Sequence, residues 1–313
     1  MPRRPRIRPE PPPTFPPLPG WARLRTPPES AGGAGFLAGA ALAAIHPIAR
    51  GEHPLGLLWR QRLALASAAV LVGHAGRTED EASLRDAWYL RRESDDPGPA
   101  GRILRTWRRL GERAAMRTED WMLGLSASLE LRCDDALEDV ITVATRLARG
   151  EGPAVAAAAD IAAVSLRFRP DSEPLALWLA DAVLAHRLRW PAPVPLLGGQ
   201  LRRGELRAAP PHIGDDNGWL TSCALAYARA AACAADLYAD LARRAAKLAA
   251  VAPKLRGKDA DEMVAILLME DAQAAARGKT ASDRSSRRLF ERLVELGAAR
   301  ELTGRPTFRL YGL

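Results

Sequence analysis

From residue 36 onward, apolar stretches of helical length alternate with Gly, Pro and Asp punctuation. This pattern predicts a bundle of helices. Helices are expected over 36–48, 56–73, 79–92, 100–112, 118–133, 135–149, 154–168 and 174–189, with breaks at Pro54, Gly76, Pro97 and Pro170. Residues 190–218, rich in Pro and Gly, read as the longest irregular connector. Beyond them Leu220, Tyr227, Ala234, Leu241 and Leu248 recur every seventh residue, each followed four places later, as far as Ala245, by a second position (Ala224, Ala231, Tyr238, Ala245). Such a seam of alternating large and small residues packs closely on another helix. A partner within the chain is favoured over one in a second subunit, because the flanking charges do not alternate as a dimer seam requires.

The pattern changes near the C-terminus. Residues 258–271 read as a helix, 273–280 as a short middle helix and turn, and Thr280 and Asp283 offer caps for the helix that follows. In that helix Leu289, Phe290, Leu293, Val294 and Leu296 share one face, and Arg284, Arg287, Arg288, Glu291 and Arg292 the other. Gly297 supplies the stop. Two short strands, 299–303 and 307–311, then flank a turn at Gly304-Arg305-Pro306, with Phe308 and Leu310 on one side and Arg309 on the other. The fold class expected is mostly α: a multi-helix bundle ending in a winged helix-turn-helix with a two-stranded β-wing. Three parts follow: a disordered Pro/Arg-rich tail over 1–30, a helical domain over 31–252 and a winged-helix domain over 253–313.

Charge sharpens this picture. The chain carries +8 overall, but residues 1–25 hold six Arg against one Glu, and residues 277–313 hold eight Arg and one Lys against four acids. Each end is therefore +5, and the span between is close to neutral. A basic helix and turn fit the phosphates and base edges of double-stranded DNA. Arg284, Arg287, Arg288, Arg292, Arg305 and Arg309 are the DNA-binding residues expected. The alternative is a helical interaction scaffold whose terminal module packs on the body, on a protein partner or on a second copy.

Composition adds exclusions. Aromatics reach only 5% and the apolar class is mostly Ala and Leu, which favours helices. Three widely spaced cysteines, Cys133, Cys223 and Cys233, argue against a disulfide framework or a zinc site. The Arg-rich start runs into prolines, unlike a secretory signal, and the uncharged 31–49 stretch of Ala and Gly reads as a buried helix. A cytoplasmic protein without a membrane segment is expected.

No catalytic constellation, metal site or cofactor motif emerges. Gly32-Gly33-Ala34-Gly35 lacks the preceding strand and the following Gly-Lys of a phosphate loop. Asp181 and His186 lie five apart, about 140° around a helix, poor geometry for shared chemistry; Asp181 is expected to pair with a local Arg. Asp236 and Asp240 share a face but have Arg243 and Arg244 at ion-pair spacing.

Residues 282–313, together with Trp59-Arg-Gln-Arg-Leu-Ala-Leu65, Leu177-Trp-Leu-Ala-Asp181, His186-Arg-Leu-Arg-Trp-Pro191 and Ala252-Pro-Lys-Leu255, resemble an uncharacterised alphaproteobacterial family, domain of unknown function 1403. The resemblance covers nearly all of the chain after the proline tail and implies kinship without an activity. The terminal helix and its Glu-x-Thr-Gly-Arg ending are also similar to the module appended to Fic-type AMP-transferases. The Fic loop itself is missing: His53-Pro54 is present, but Leu57-Leu58-Trp59 stands where the phosphate-cradling Gly and Asn belong.

Overall fold

The computed structural model describes residues 10–28, 30–92, 94–112, 121–209, 217–255, 260–275, 283–305 and 307–313. These form helices α1 (Ala31–Arg50), α2 (Leu55–His74), α3 (Glu81–Leu90), α4 (Gly98–Leu110), α5 (Trp121–Leu129), α6 (Asp135–Arg149), α7 (Ala154–Phe168), α8 (Glu173–Arg187), α9 (Arg203–Arg207), α10 (Asn217–Val251), α11 (Ala260–Met269) and α12 (Asp283–Glu295). Three short strands complete the fold: β1 (Gln273–Ala274), β2 (Arg300–Glu301) and β3 (Leu310–Gly312). The protein is mostly helical, with one small antiparallel sheet near the C-terminus.

Helix α10 is the spine, and its heptad seam is buried as the spacing predicts, with only Leu220 half-exposed. Its most extensive partner is α1, an internal one. The two meet through small side chains, Ala34, Ala38 and Ala41 on α1 and Ala231, Ala234 and Ala245 on α10, all at 0% exposure. Small facing residues let helix axes approach closely, so dispersion contacts are made by backbone as well as side chain. Trp59 on α2 donates from Nε1 to the Ala234 carbonyl at 2.8 Å, tying a third helix to the pair.

Local signals set the helix starts. Ser30 Oγ accepts from the Gly33 N–H at 3.1 Å, and the carboxylates of Asp80 and Asp134 accept from Ser83 and Leu137 at 2.8 and 3.1 Å. Loss of such a cap costs about 1 kcal/mol. His53 uses Nδ1 to accept the Leu55 N–H at the start of α2.

Residues 10–28, within the span expected as a disordered tail, lie against α1 and α10. Tyr238 donates to the Pro13 carbonyl at 3.2 Å and packs on Phe15, Leu18 and Ala22 are buried, and Arg23 forms a two-pronged ion pair with Asp236. Asp236 thus turns to the N-terminal segment rather than to Arg243. Asp240 keeps the expected pairs, with Arg243 at 2.9 Å and Arg244 at 2.7 Å.

Helices α1 and α2 are each long and apolar enough to cross a membrane, with mean hydropathies of 1.4 and 1.3. In α2, 67% of that stretch is buried against other helices, as in the core of a folded body; in α1 the share is 33%.

Helix α8 is buried on every side from Leu175 to Ala185, and Asp181 lies inside it at 0% exposure. Among the described residues no arginine pairs with it, contrary to expectation. Its carboxylate accepts instead from the Leu196 N–H at 2.8 Å and the Leu197 N–H at 3.1 Å, pinning the connector after α8. A buried carboxylate must find donors or protonate, and backbone amides are the donors this packing brings. Burial pushes the Asp181 carboxyl up from 3.8 to about 7, against the pull of the two amides and of Tyr227. The native state then binds the proton more tightly than the unfolded chain. The stability this group contributes is fully present below the unfolded value and is lost as pH rises through about 7. In urea unfolding between about pH 4 and pH 8, the native protein is expected to lose stability with rising pH relative to Asp181→Asn. A stability difference that stays constant over that range would refute this account.

Candidate nucleic-acid interface

After α10 the chain runs helix, strand, helix, strand, strand. The sheet order is β1–β3–β2, with Gln273 opposite Tyr311 and Ala274 opposite Leu310 on one side of β3, and Arg300 opposite Gly312 and Glu301 opposite Tyr311 on the other. Gln273 and Ala274, expected in a short helix and turn, form β1, so the sheet has three strands rather than two. Strand β3 is therefore central, and Leu310, Tyr311 and Gly312 are all buried rather than alternating. Residues 276–280 of the expected middle helix and turn lie outside the described residues.

Helix α12 anchors this sheet. Phe290 and Leu293 are fully buried, and the Phe290 ring stacks on Tyr311 with centroids 4.3 Å apart. Leu289 and Leu296 are half-buried, while Val294, expected inward, is exposed. Gly297, at φ +60°, ends the helix, and the Ala298 N–H returns to the Leu293 carbonyl at 2.8 Å. A left-handed residue there satisfies carbonyls that the last turn would otherwise leave open.

The opposite face of α12 carries the expected basic residues. Arg287 and Arg288 are exposed, and neither makes an ion pair or hydrogen bond among the described residues. Arg292 is exposed too and meets Glu295 at 3.0 Å, a solvent-screened pair of the kind that contributes little. Arg284 lies on the first turn, and its side chain is outside the described residues.

The loop between β2 and β3 departs from the tight turn expected. It spans residues 302–309, and its arginine does not stand free: Arg305 reaches Asp86 on α3 at 2.6 Å. Arg309 is exposed, with its Nε donating to the Arg305 carbonyl at 3.0 Å. Phe308, expected on the same side as Leu310, sits at φ +54° and is 75% exposed, while Leu310 is at 0%. The one-residue twist at Phe308 breaks the alternation that a regular strand would impose.

The seat of this segment on the body is polar and buried, and no sequence pattern revealed it. Glu270 and Asp271 follow α11 directly. Asp271 is 2% exposed and is held at every polar group: its N–H donates to the Gln61 side chain at 2.9 Å, its carbonyl accepts from Arg62 at 3.1 Å, and its carboxylate pairs with both Arg62 and Arg85. Arg62 also donates to the Leu313 carbonyl at 3.1 Å. Burial lowers the Arg62 guanidinium pKa, with Asp271 opposing that shift. Alongside, Glu270 accepts from Tyr89 and from Arg108 at 3.1 and 3.0 Å. An apolar layer of Tyr89, Ala272, Ala274 and Leu310 closes the contact with α3.

Elsewhere His186 Nδ1 lies 3.0 Å from the Ala148 carbonyl, and His46 accepts from Trp190 at 3.0 Å. Among the described residues no group of three or more His, Cys, Asp or Glu could hold a metal ion. No curated protein matches the chain. Over residues 11–313 it matches a family model, and the chain belongs to that family, described as a protein of unknown function, DUF1403.

Proposed function

We propose that residues 253–313 form a winged helix that binds duplex DNA, with α12 as the helix that enters the major groove. The carrying observation is the split character of α12: Phe290 and Leu293 lock one face into the sheet, and Arg287 and Arg288 stand exposed and unpartnered among the described residues on the other. A rigidly mounted helix with exposed guanidinium groups suits contacts to phosphates and to guanine edges in a groove about 12 Å wide. The order of helices and strands, the β1–β3–β2 sheet and the likeness to the Fic-appended module support the same reading. Arg292 and Arg309 extend the surface. Arg305, engaged by Asp86, contributes less than its place in the sequence suggests.

The test is an anisotropy titration of the whole chain with duplex DNA across salt. The expected result is an affinity that falls steeply with salt, the slope changing by about −0.9 for each phosphate neutralised. Absence of binding at about 50 mM salt would overturn the proposal.

One observation favours a second reading, a helical scaffold whose terminal module serves packing or a protein partner. The loop after β2 is turned onto α3 through Arg305 and Asp86 rather than outward. Under this reading the whole chain shows no salt-dependent affinity for DNA.

A further inference from the structure

The helical body carries a cleft that the nucleic-acid reading does not use. It lies between the C-terminal half of α2, the N-terminal half of α10 and the segment leading into α9, with a volume of about 470 Å³. Sites for small molecules span about 300–1,000 Å³. Arg202, Arg203, Arg229, His74 and Gln200 supply its polar lining, and no carboxylate lines it. Two acids flank it: Glu173 lies 3.5 Å from His74 Nδ1 and 3.8 Å from Arg203 Nε, and the Glu205 carboxylate accepts the Arg202 backbone N–H at 2.7 Å. Two carboxylates at the rim thus stand against three guanidinium groups, and neither forms an ion pair with Arg229 among the described residues.

Arg229 is the most telling of the three. It is half-buried on α10 and makes no ion pair or hydrogen bond among the described residues. Arg62, Arg85, Arg108 and Arg169, by contrast, each hold a carboxylate. A partly desolvated guanidinium without a counterion is costly, and converging ones repel, so a bound anion would relieve both terms.

The segment that carries Arg202 and Arg203 is firmly placed. Leu197 and Leu201 are buried, the Leu197 N–H is fixed by Asp181, and Gly198 lies so close to the Trp107 ring that a Cβ there would come within 3.1 Å of it. The backbone that presents these guanidinium groups is therefore positioned before any ligand arrives, which lowers the ordering cost of binding.

We infer that this cleft binds a small phosphorylated molecule through Arg202, Arg203 and Arg229. Phosphate is the class that fits, because it brings two or more negative charges on a compact group and matches the forked guanidinium donors. The inference rests on no part of the DNA reading.

Calorimetric titration of the full chain with inorganic pyrophosphate, at constant chloride ionic strength, tests it. Saturable binding at one site is expected. Removing the charge of Arg202 and Arg229 together (Arg202→Gln, Arg229→Gln) should weaken it by about tenfold or more, while Arg287→Glu with Arg288→Glu leaves it unchanged. Circular dichroism checks that the variants fold, and should Arg229→Gln unfold the chain, the exposed pair Arg202→Gln and Arg203→Gln serves in its place. Absence of saturable binding, or equal affinity in the charge-removed variants, would overturn the site. Tighter binding of citrate than of pyrophosphate would overturn the phosphate class. Loss of binding in the α12 variant would place the anion on the nucleic-acid surface instead.

Discussion

Replacing Asp271 with Ala is expected to destabilise the protein by about 3–5 kcal/mol, the range for removing one partner of a buried ion pair. The carboxylate is 2% exposed and lies between the guanidinium groups of Arg62 and Arg85. Without it two buried cations face each other, and the Arg62 contact to the backbone of β3's neighbour Leu313 loses its counter-charge. Guanidinium chloride unfolding of both proteins measures the loss. Adding Arg85→Met to Asp271→Ala should recover part of it, because an apolar side chain of similar length removes one orphaned charge. A loss below about 1 kcal/mol for Asp271→Ala, the level of an exposed pair, would show that this cluster does not bind the C-terminal segment to the body.

Reversing the charge of Arg287 and Arg288 together is expected to weaken duplex DNA binding by on the order of tenfold to a hundredfold at moderate salt, and to reduce the salt slope by about two. Both side chains are exposed and neither makes a hydrogen bond or ion pair among the described residues, so the double variant should fold with unchanged stability. A surface substitution away from buried groups lies within about ±0.5 kcal/mol. That separation makes the experiment decisive: a folded variant with undiminished affinity removes α12 from nucleic-acid recognition. The Asp271→Ala protein offers a complementary readout. Its lesion is buried against α2 and α3, so any loss of DNA affinity there reports misplacement of the helix rather than a lost contact.

Much of the helical body was legible in the residues. The expected spans for α6 and α7 coincide with the observed helices, because each begins at a clear break, Asp134 or Pro153, and carries uninterrupted apolar periodicity. The α10 seam was visible because a seven-residue repeat survives any choice of partner. Helix α12 was visible because one face is apolar and the other is nearly all arginine. Strand β1 was not: two residues, Gln273 and Ala274, carry no periodicity, and only pairing with β3 makes them a strand. The same pairing makes β3 central and buries consecutive residues, which the alternation of an edge hairpin cannot anticipate.

The partners of charged residues were the least legible. Asp236 has arginines nearby in sequence yet pairs with Arg23, 213 residues away, and Arg305 is drawn to Asp86 on α3. Local spacing ranks near neighbours, but a guanidinium goes wherever packing brings a carboxylate. Asp181 shows the converse case, in which packing brought backbone amides and Tyr227 rather than a described arginine.

The sequence by itself determined the helical class, the long close-packed seam and the basic face of the last helix, since periodicity and composition act within a few residues and need no knowledge of the rest of the chain. Tertiary structure alone decided the third strand, the seating of that segment on Glu270 and Asp271, the docking of the Arg305 loop and the arginine-lined cleft between α2 and α10. These depend on groups brought together from opposite ends of the chain, where desolvation and Coulomb attraction select partners by distance in space and not by separation in sequence.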